Sequence, residues 1–279
     1  MPDAKEGAQK ASRQRSVRIL ILTALAATLA VGGIAAHPQV AAAAGKKVVI
    51  VVGPVGSSTA NYIYNAKKLA SQARSYGATV YEIYSPHATW ARVKAYAQGA
   101  NVLIYLGHGN GYPSPYGPFS AYTRDGMGLN SYDGSSSHTY YGEYYISKAI
   151  RLAPNAVVIL NRLCYASGNS EWGAANPTVS VAIARADNFS AGFLRTGARA
   201  VFAEGIDSAA FVLSGLFKTS RTMMSIFYSD PATTWTYRFS FKSTRTLGKI
   251  GIMDPYARNR YYKSIVGDLS MTAATWRSG

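Results

Sequence analysis

The 279-residue chain contains one cysteine, Cys164, and only 13 acidic residues against 29 lysines and arginines. A lone cysteine excludes an internal disulfide, although an exported chain has access to them. An unpaired thiol in an oxidising compartment is a liability unless it is buried or used. Cys164 is therefore a candidate functional residue before any motif is considered. The shortage of negative charge leaves a net +16, which favours anionic surfaces such as cell-wall polymers or lipid headgroups. No dense Lys/Arg run appears beyond the first 18 residues, so the charge reads mainly as a solvated basic surface, and nucleic acid is not an expected partner. Histidine is also scarce. His87 and His138 have no companions at metal-ligand spacing, so neither a metal nor a cofactor is expected. No internal repeat is visible.

What is present begins with a leader. Residues 1–18 carry Lys5, Lys10, Arg13, Arg15 and Arg18; an uncharged apolar run follows from Ile19 to Ala36, then the small-residue stretch Ala41 to Ala44. Basic, apolar and small in that order is the layout of a secretory signal, with cleavage expected before Gly45. The apolar run also has the length of a membrane span, and an uncleaved anchor is the alternative. Without the leader, 235 residues remain, with 24 Lys/Arg against 11 Asp/Glu and a net charge of +13. That length suits one domain with a large core.

From Lys46 the chain alternates strand-like and helix-like segments. Strands are predicted at 48–52, 79–84, 101–106, 156–163 and 199–203. Helices are predicted at 59–76, 89–98, 140–152, 179–196 and 208–228, several stopped by glycine. The apolar runs are continuous rather than alternating, as expected of strands buried on both faces of a parallel sheet. Residues 110–138 break the rhythm with Gly, Ser, Tyr and Pro. Such a stretch inside a domain is either functional or a flexible exposed loop, and the tyrosines from Tyr112 to Tyr145 suit a recognition surface or lid. Residues 232–279 are aromatic and basic, and are expected as short elements packed on a domain spanning 45–231. The turn Gly53-Pro-Val-Gly-Ser-Ser58 lacks phosphate-loop spacing and reads as an ordinary strand-to-helix connection.

In an open parallel sheet, functional groups collect beyond the carboxyl ends of the strands. His108 and Cys164 both fall there, after consecutive strands of the parallel set. Consecutive strands are often neighbours, so a thiol and an imidazole 56 residues apart are expected to meet. A thiolate is a strong nucleophile, and a nearby imidazole supplies general acid–base chemistry. The Gly109 and Cys164 backbone N–H groups are candidates to hold an oxyanion.

Two blocks, Asn101-Val-Leu-Ile-Tyr-Leu-Gly-His-Gly109 and Ala156-Val-Val-Ile-Leu-Asn-Arg-Leu-Cys-Tyr-Ala-Ser-Gly168, resemble the His-Gly and Cys-turn blocks of caspase-like (clan CD) cysteine peptidases. A third, Ala191-Gly-Phe-Leu-Arg-Thr-Gly-Ala-Arg-Ala-Val-Phe-Ala203, is similar to the helix–Gly-Ala–strand unit of the CHAT and gingipain-like members. The resemblance covers about residues 46–228. It implies a caspase-like three-layer α/β sandwich with a mostly parallel central sheet flanked by helices. It further implies a peptide or protein substrate, Cys164 as nucleophile, His108 as general acid/base and Gly109 as an oxyanion donor. Asn161-Arg162-Leu163 departs from the Asp-Ala or Ser-Ala that precedes the cysteine in many relatives. Glu171, Glu204 and Asp207 are the acidic residues nearest the site in sequence, and a carboxylate lining the first pocket would select Arg or Lys. The rival expectations are a catalytically silent binding module on the same scaffold, attached to a cell-wall polymer, and a flavodoxin-like or Rossmann-like domain holding a small anion near residues 53–58.

Overall fold

Three largely apolar runs form the centre of the sheet. The computed structural model describes residues 45–279, and the leader, with its signal-or-anchor expectation, lies outside the described residues. Strands β1 (Lys47–Val52), β3 (Val102–Leu106) and β6 (Val157–Asn161) lie side by side in parallel. They are flanked by β2 (Thr79–Tyr84) on one side and β7 (Ala200–Glu204) on the other. Because successive side chains point to opposite faces, Val48, Ile50 and Val52 enter one core while Val49 and Val51 enter another. Helices α1 (Thr59–Ser75), α5 (Ala210–Lys218), α6 (Met223–Phe227) and α7 (Ala273–Ser278) cover the first face. Helices α2 (Trp90–Ala97), α3 (Glu143–Ala149) and α4 (Val179–Leu194) cover the second. The expected three-layer α/β sandwich with a mostly parallel central sheet is what these residues build. Among the described residues no helix is long and apolar enough to cross a membrane.

The sheet is wider than the sequence suggests. Residues 232–279 supply β8 (Phe239–Lys242), β9 (Ile250–Met253) and β10 (Lys263–Gly267), and the complete order is β2-β1-β3-β6-β7-β10-β9-β8. These last three strands run antiparallel, with β10 hydrogen-bonded to β7. They are short, and β10 opens on Lys263 and Ser264, both buried, which masks the apolar pattern.

Two connections also differ from expectation. The 110–138 stretch contains β4 (Met127–Asn130), which pairs with β5 (His138–Tyr141) in an antiparallel hairpin. The helix expected from 140 thus begins only at Glu143, because Gly142 breaks the chain there. A Cβ on Gly142 would sit 2.5 Å from Ala121 O, so only glycine lets the preceding loop cross at that point. The helix expected over 208–228 is two helices, interrupted where Thr219 turns extended and Thr222 caps α6, its hydroxyl accepting from Ser225 N at 3.1 Å. Gly215 makes this fold-back possible: a Cβ there would come within 2.7 Å of the Ile226 side chain.

The C-terminal helix is anchored by Trp276, which is fully buried. Its ring meets Phe217 edge-on at 4.9 Å, and its Nε1 donates to Asn101 O at 3.2 Å. Trp276→Ala is expected to lose about 3–5 kcal/mol of stability. In urea unfolding the midpoint should fall with little change in slope. A change below about 0.5 kcal/mol, the range typical of surface substitutions, would show that the tail is not part of the core.

Candidate active site at the strand ends

The position of the site follows from one strand pair. β3 and β6 are parallel and in register, with Leu106 opposite Asn161, so the turns that follow them leave the same end of the sheet. The first turn is held by Tyr105, whose buried hydroxyl lies 3.1 Å from both His108 O and Gly128 O and accepts from Gly128 N at 2.8 Å. Gly109 comes against the second turn so closely that a Cβ on it would lie 1.9 Å from Cys164 O and 2.9 Å from Cys164 N. Among the described residues, neither the Gly109 nor the Cys164 backbone N–H donates a hydrogen bond.

The Cys164 turn holds two non-glycine residues in the left-handed region, Arg162 (φ 62°) and Tyr165 (φ 68°). Such conformations persist only where the surroundings over-determine them. Here Arg162 N donates to Glu204 O at 2.6 Å and Arg162 O accepts from the Tyr62 hydroxyl at 3.1 Å. Tyr165 is buried, with the Arg185 guanidinium 4.6 Å from its ring centre. The thiol is half-buried, and a cavity of about 720 Å³ opens beside it.

The side chains around the two residues set their protonation. Burial pushes the Cys164 thiol up from its ordinary value; the Glu171 charge acts in the same direction and the Trp172 backbone N–H against it. Desolvation lowers His108, the adjacent His138 lowers it further, and Glu171 opposes the change. Both directions favour neutral forms: a protonated thiol and an uncharged imidazole. No hydrogen bond joins the His108 ring to Cys164 in this state.

Of the three carboxylates expected near the pocket, only Glu171 lines the cavity, and both its oxygens are engaged. Tyr116 donates to one at 2.7 Å and Tyr165 to the other at 2.8 Å. Glu204 is 1% exposed, and neither of its oxygens has a hydrogen-bond partner among the described residues. Burial, reinforced by Asp230, raises its pKa well above the ordinary carboxylate range despite opposing Lys263. It stands opposite Lys263 in the β7–β10 register, while Lys263 itself pairs with Asp230 at 2.6 Å. Asp207 does not line the cavity, and it is not the cap of α5, whose N-cap is Ala209. The Asp207 carbonyl instead accepts from Asn161 Nδ2 at 2.8 Å.

His138 is the residue that sequence reasoning missed. Its ring centre lies 4.7 Å from that of His108, brought there by the β4–β5 hairpin, and no spacing rule connects the two positions. The Tyr-rich stretch divides in role. Tyr140 is structural, its hydroxyl accepting from Asn110 N and Gly126 N and donating to Gly126 O. Tyr116, Tyr122, Tyr132 and Tyr144 are exposed. The start of the 53–58 turn packs on the hairpin backbone, a Cβ on Gly53 lying 2.0 Å from Gly128 O, while Gly56, Ser57 and Ser58 are exposed.

No family model matches the chain, and no curated protein does. Two solved structures are similar to it. One is a secreted C11 cysteine protease from Bacteroides thetaiotaomicron, "iotapain"; it is 11% identical, with 76% of this chain and 67% of that chain covered and a TM-score of 0.37. The other is a secreted C11 cysteine protease from the same organism in complex with an irreversible peptide inhibitor, 10% identical, with 75% and 66% covered and a TM-score of 0.35. The chain thus spans about two thirds of the length of each. The chemistry available at the site follows from this chain's own residues: a thiol and an imidazole on neighbouring turns, two free N–H groups, and a cavity.

The neighbours of His108 give a signed expectation. His138→Asn should raise the His108 pKa, because it removes a group that disfavours protonation. Glu171→Gln should lower the pKa of both His108 and Cys164, since the Glu171 charge raises each. NMR titration of the His108 ring and the pH dependence of Cys164 alkylation measure these shifts. Movement of either group in the opposite direction would show that the stated neighbours do not control it.

Proposed function

We propose that this chain is an exported cysteine endopeptidase of caspase-like fold, with Cys164 as nucleophile and His108 as general base and acid. The observation that supports this most is the apposition of Gly109 and Cys164, which leaves two undonated N–H groups next to a half-buried thiol; Cys164 lines the cavity, and His108 and Gly109 lie outside its lining. Export is proposed from the basic, apolar, small-residue leader. An anionic cell surface is a proposed secondary partner of the basic chain.

The resting state is a neutral thiol and a neutral imidazole, so activation accompanies attack. As Cys164 Sγ bonds to the peptide carbonyl carbon, its proton passes to His108. The carbonyl oxygen becomes an oxyanion facing the Gly109 and Cys164 N–H groups. The C–N bond then breaks, His108 gives its proton to the departing amine, and a thioester on Cys164 remains. Water, deprotonated by His108, hydrolyses the thioester and restores the thiol. The missing hydrogen bond between His108 and Cys164 accords with the looser geometry of catalytic groups before substrate binds.

Thiol-directed peptide inhibitors and fluorogenic peptides test this on the purified chain lacking its leader. Cys164→Ala is expected to abolish both labelling and turnover. His108→Ala should lower turnover by about 10²–10⁴-fold, the usual contribution of a positioned acid–base group. If Cys164 is labelled no faster than a free thiol and His108→Ala changes nothing, the protein is the silent binding module instead.

A further inference from the structure

The cavity beside Cys164 has the wrong lining for a basic side chain. Arg162 and Arg260 both line it, with Tyr62, Trp172, Ile206 and Tyr262 among the other walls. Neither arginine has an ion-pair partner among the described residues. Arg162 Nε is buried and makes no hydrogen bond there. A buried guanidinium donor without an acceptor is a costly arrangement, rare in native proteins unless a ligand or water satisfies it. The one carboxylate in the lining, Glu171, accepts from Tyr116 and Tyr165, and the two arginines outnumber it. Glu204 lies buried behind the Arg162 turn, its backbone carbonyl accepting from Arg162 N, and burial raises its carboxyl pKa well above the ordinary range.

We infer that this cavity receives an acidic side chain, Asp or Glu, of the peptide presented to Cys164, with Arg162 and Arg260 as its specificity-determining residues. The inference rests on the peptidase reading above and reverses the Arg/Lys preference expected from the nearby acidic residues in the sequence. The position of Arg162 is fixed at the backbone. Its left-handed turn is clamped by Glu204 O and the Tyr62 hydroxyl two residues before the nucleophile. Arg260, by contrast, is exposed in the loop between β9 and β10, where it can adjust to the bound residue. A guanidinium presents a planar fork of donors that matches the two oxygens of a carboxylate, and an amide offers only one acceptor to it. A site built to satisfy such donors discriminates strongly against analogues that leave them unpaired.

The test uses the Cys164→Ala variant of the full mature chain, so that binding is read without turnover. Labelled peptides identical except for Asp, Glu, Asn, Gln, Arg or Lys at one position are compared by fluorescence anisotropy. Peptides with Asp or Glu are expected to bind about 10–100-fold tighter than their amide counterparts, the range for hydrogen bonds to a charged group. Arg162→Gln and Arg260→Ala should each remove most of that difference. Arg260→Ala, on an exposed loop, keeps the test informative if Arg162→Gln disturbs its strained turn. Tightest binding of Arg or Lys peptides, equal binding of all six, or no binding by any of them overturns the inference. Cleavage by the wild-type chain separates the two levels. Acid-selective binding without cleavage supports the cavity assignment and removes the peptidase reading. Cleavage after Arg or Lys keeps the peptidase and overturns the cavity assignment.

Discussion

The parallel, in-register pairing of β3 with β6 is the constraint on which the candidate site depends. Each strand is fully buried on both faces, so its register is locked: a slip of one residue would send every side chain to the opposite core. With Leu106 fixed opposite Asn161, the His108 and Cys164 turns emerge together, and Gly109 must pass against the Cys164 backbone. Glycine is required there for packing alone, since any Cβ would overlap the Cys164 carbonyl. Close backbone approach and two undonated N–H groups are therefore consequences of the same pairing.

Around that pair, polar groups do the positioning that aliphatic packing does elsewhere. The irregular stretch after His108 is tied down from inside. Buried Arg124 donates to Asn110 Oδ1, Ser114 Oγ and Tyr116 O, and fully buried Asp125 accepts from Tyr112 N. Burial raises the Asp125 pKa well above the carboxylate range, and the Tyr112 N–H, Arg245 and Arg124 oppose that shift. Glu143, at the start of α3, accepts from Arg195 at 2.6 Å and from Arg245 at 2.8 Å. These contacts connect α3 to the end of α4 and to the segment between β8 and β9. The C-terminal strands thus take part in holding the wall that carries the hairpin.

The electrostatics of the strand ends favour neutral reacting groups and a cationic cavity. The Cys164 thiol is pushed up and the His108 imidazole down, so the pair does not ionise spontaneously at neutral pH. Two arginines without ion-pair partners among the described residues remain beside them, while Glu171 is hydrogen-bonded by two tyrosines, Glu204 is buried and Asp207 does not line the cavity. Of the three carboxylates, the one nearest the cysteine in sequence, Glu171, lines the cavity, whereas Glu204 and Asp207 do not, because charge in a folded protein acts through exposure and partners. Glu204 illustrates this. Expected just past a strand, it is instead the last residue of β7, and its side chain is buried opposite Lys263 and not in the cavity.

Much of the architecture was legible in the sequence. The runs at 48–52, 101–106 and 156–163 specify doubly buried strands, and the glycine-stopped helical segments between them impose parallel crossovers. From these alone the placement of His108 and Cys164 at one end of the sheet follows. The hairpin that brings His138 to His108 was not legible, because four-residue strands such as Met-Gly-Leu-Asn and His-Thr-Tyr-Tyr carry no periodicity beyond chance. Nor was the entry of 263–267 into the sheet, where a buried Lys263 needs Asp230, 33 positions earlier, before it can lie beside β7. Sequence by itself determined what depends on local pattern, namely which segments are strands and which end of each carries chemistry. Tertiary structure alone decided which charges are free, because pairing and burial join residues that no local pattern relates.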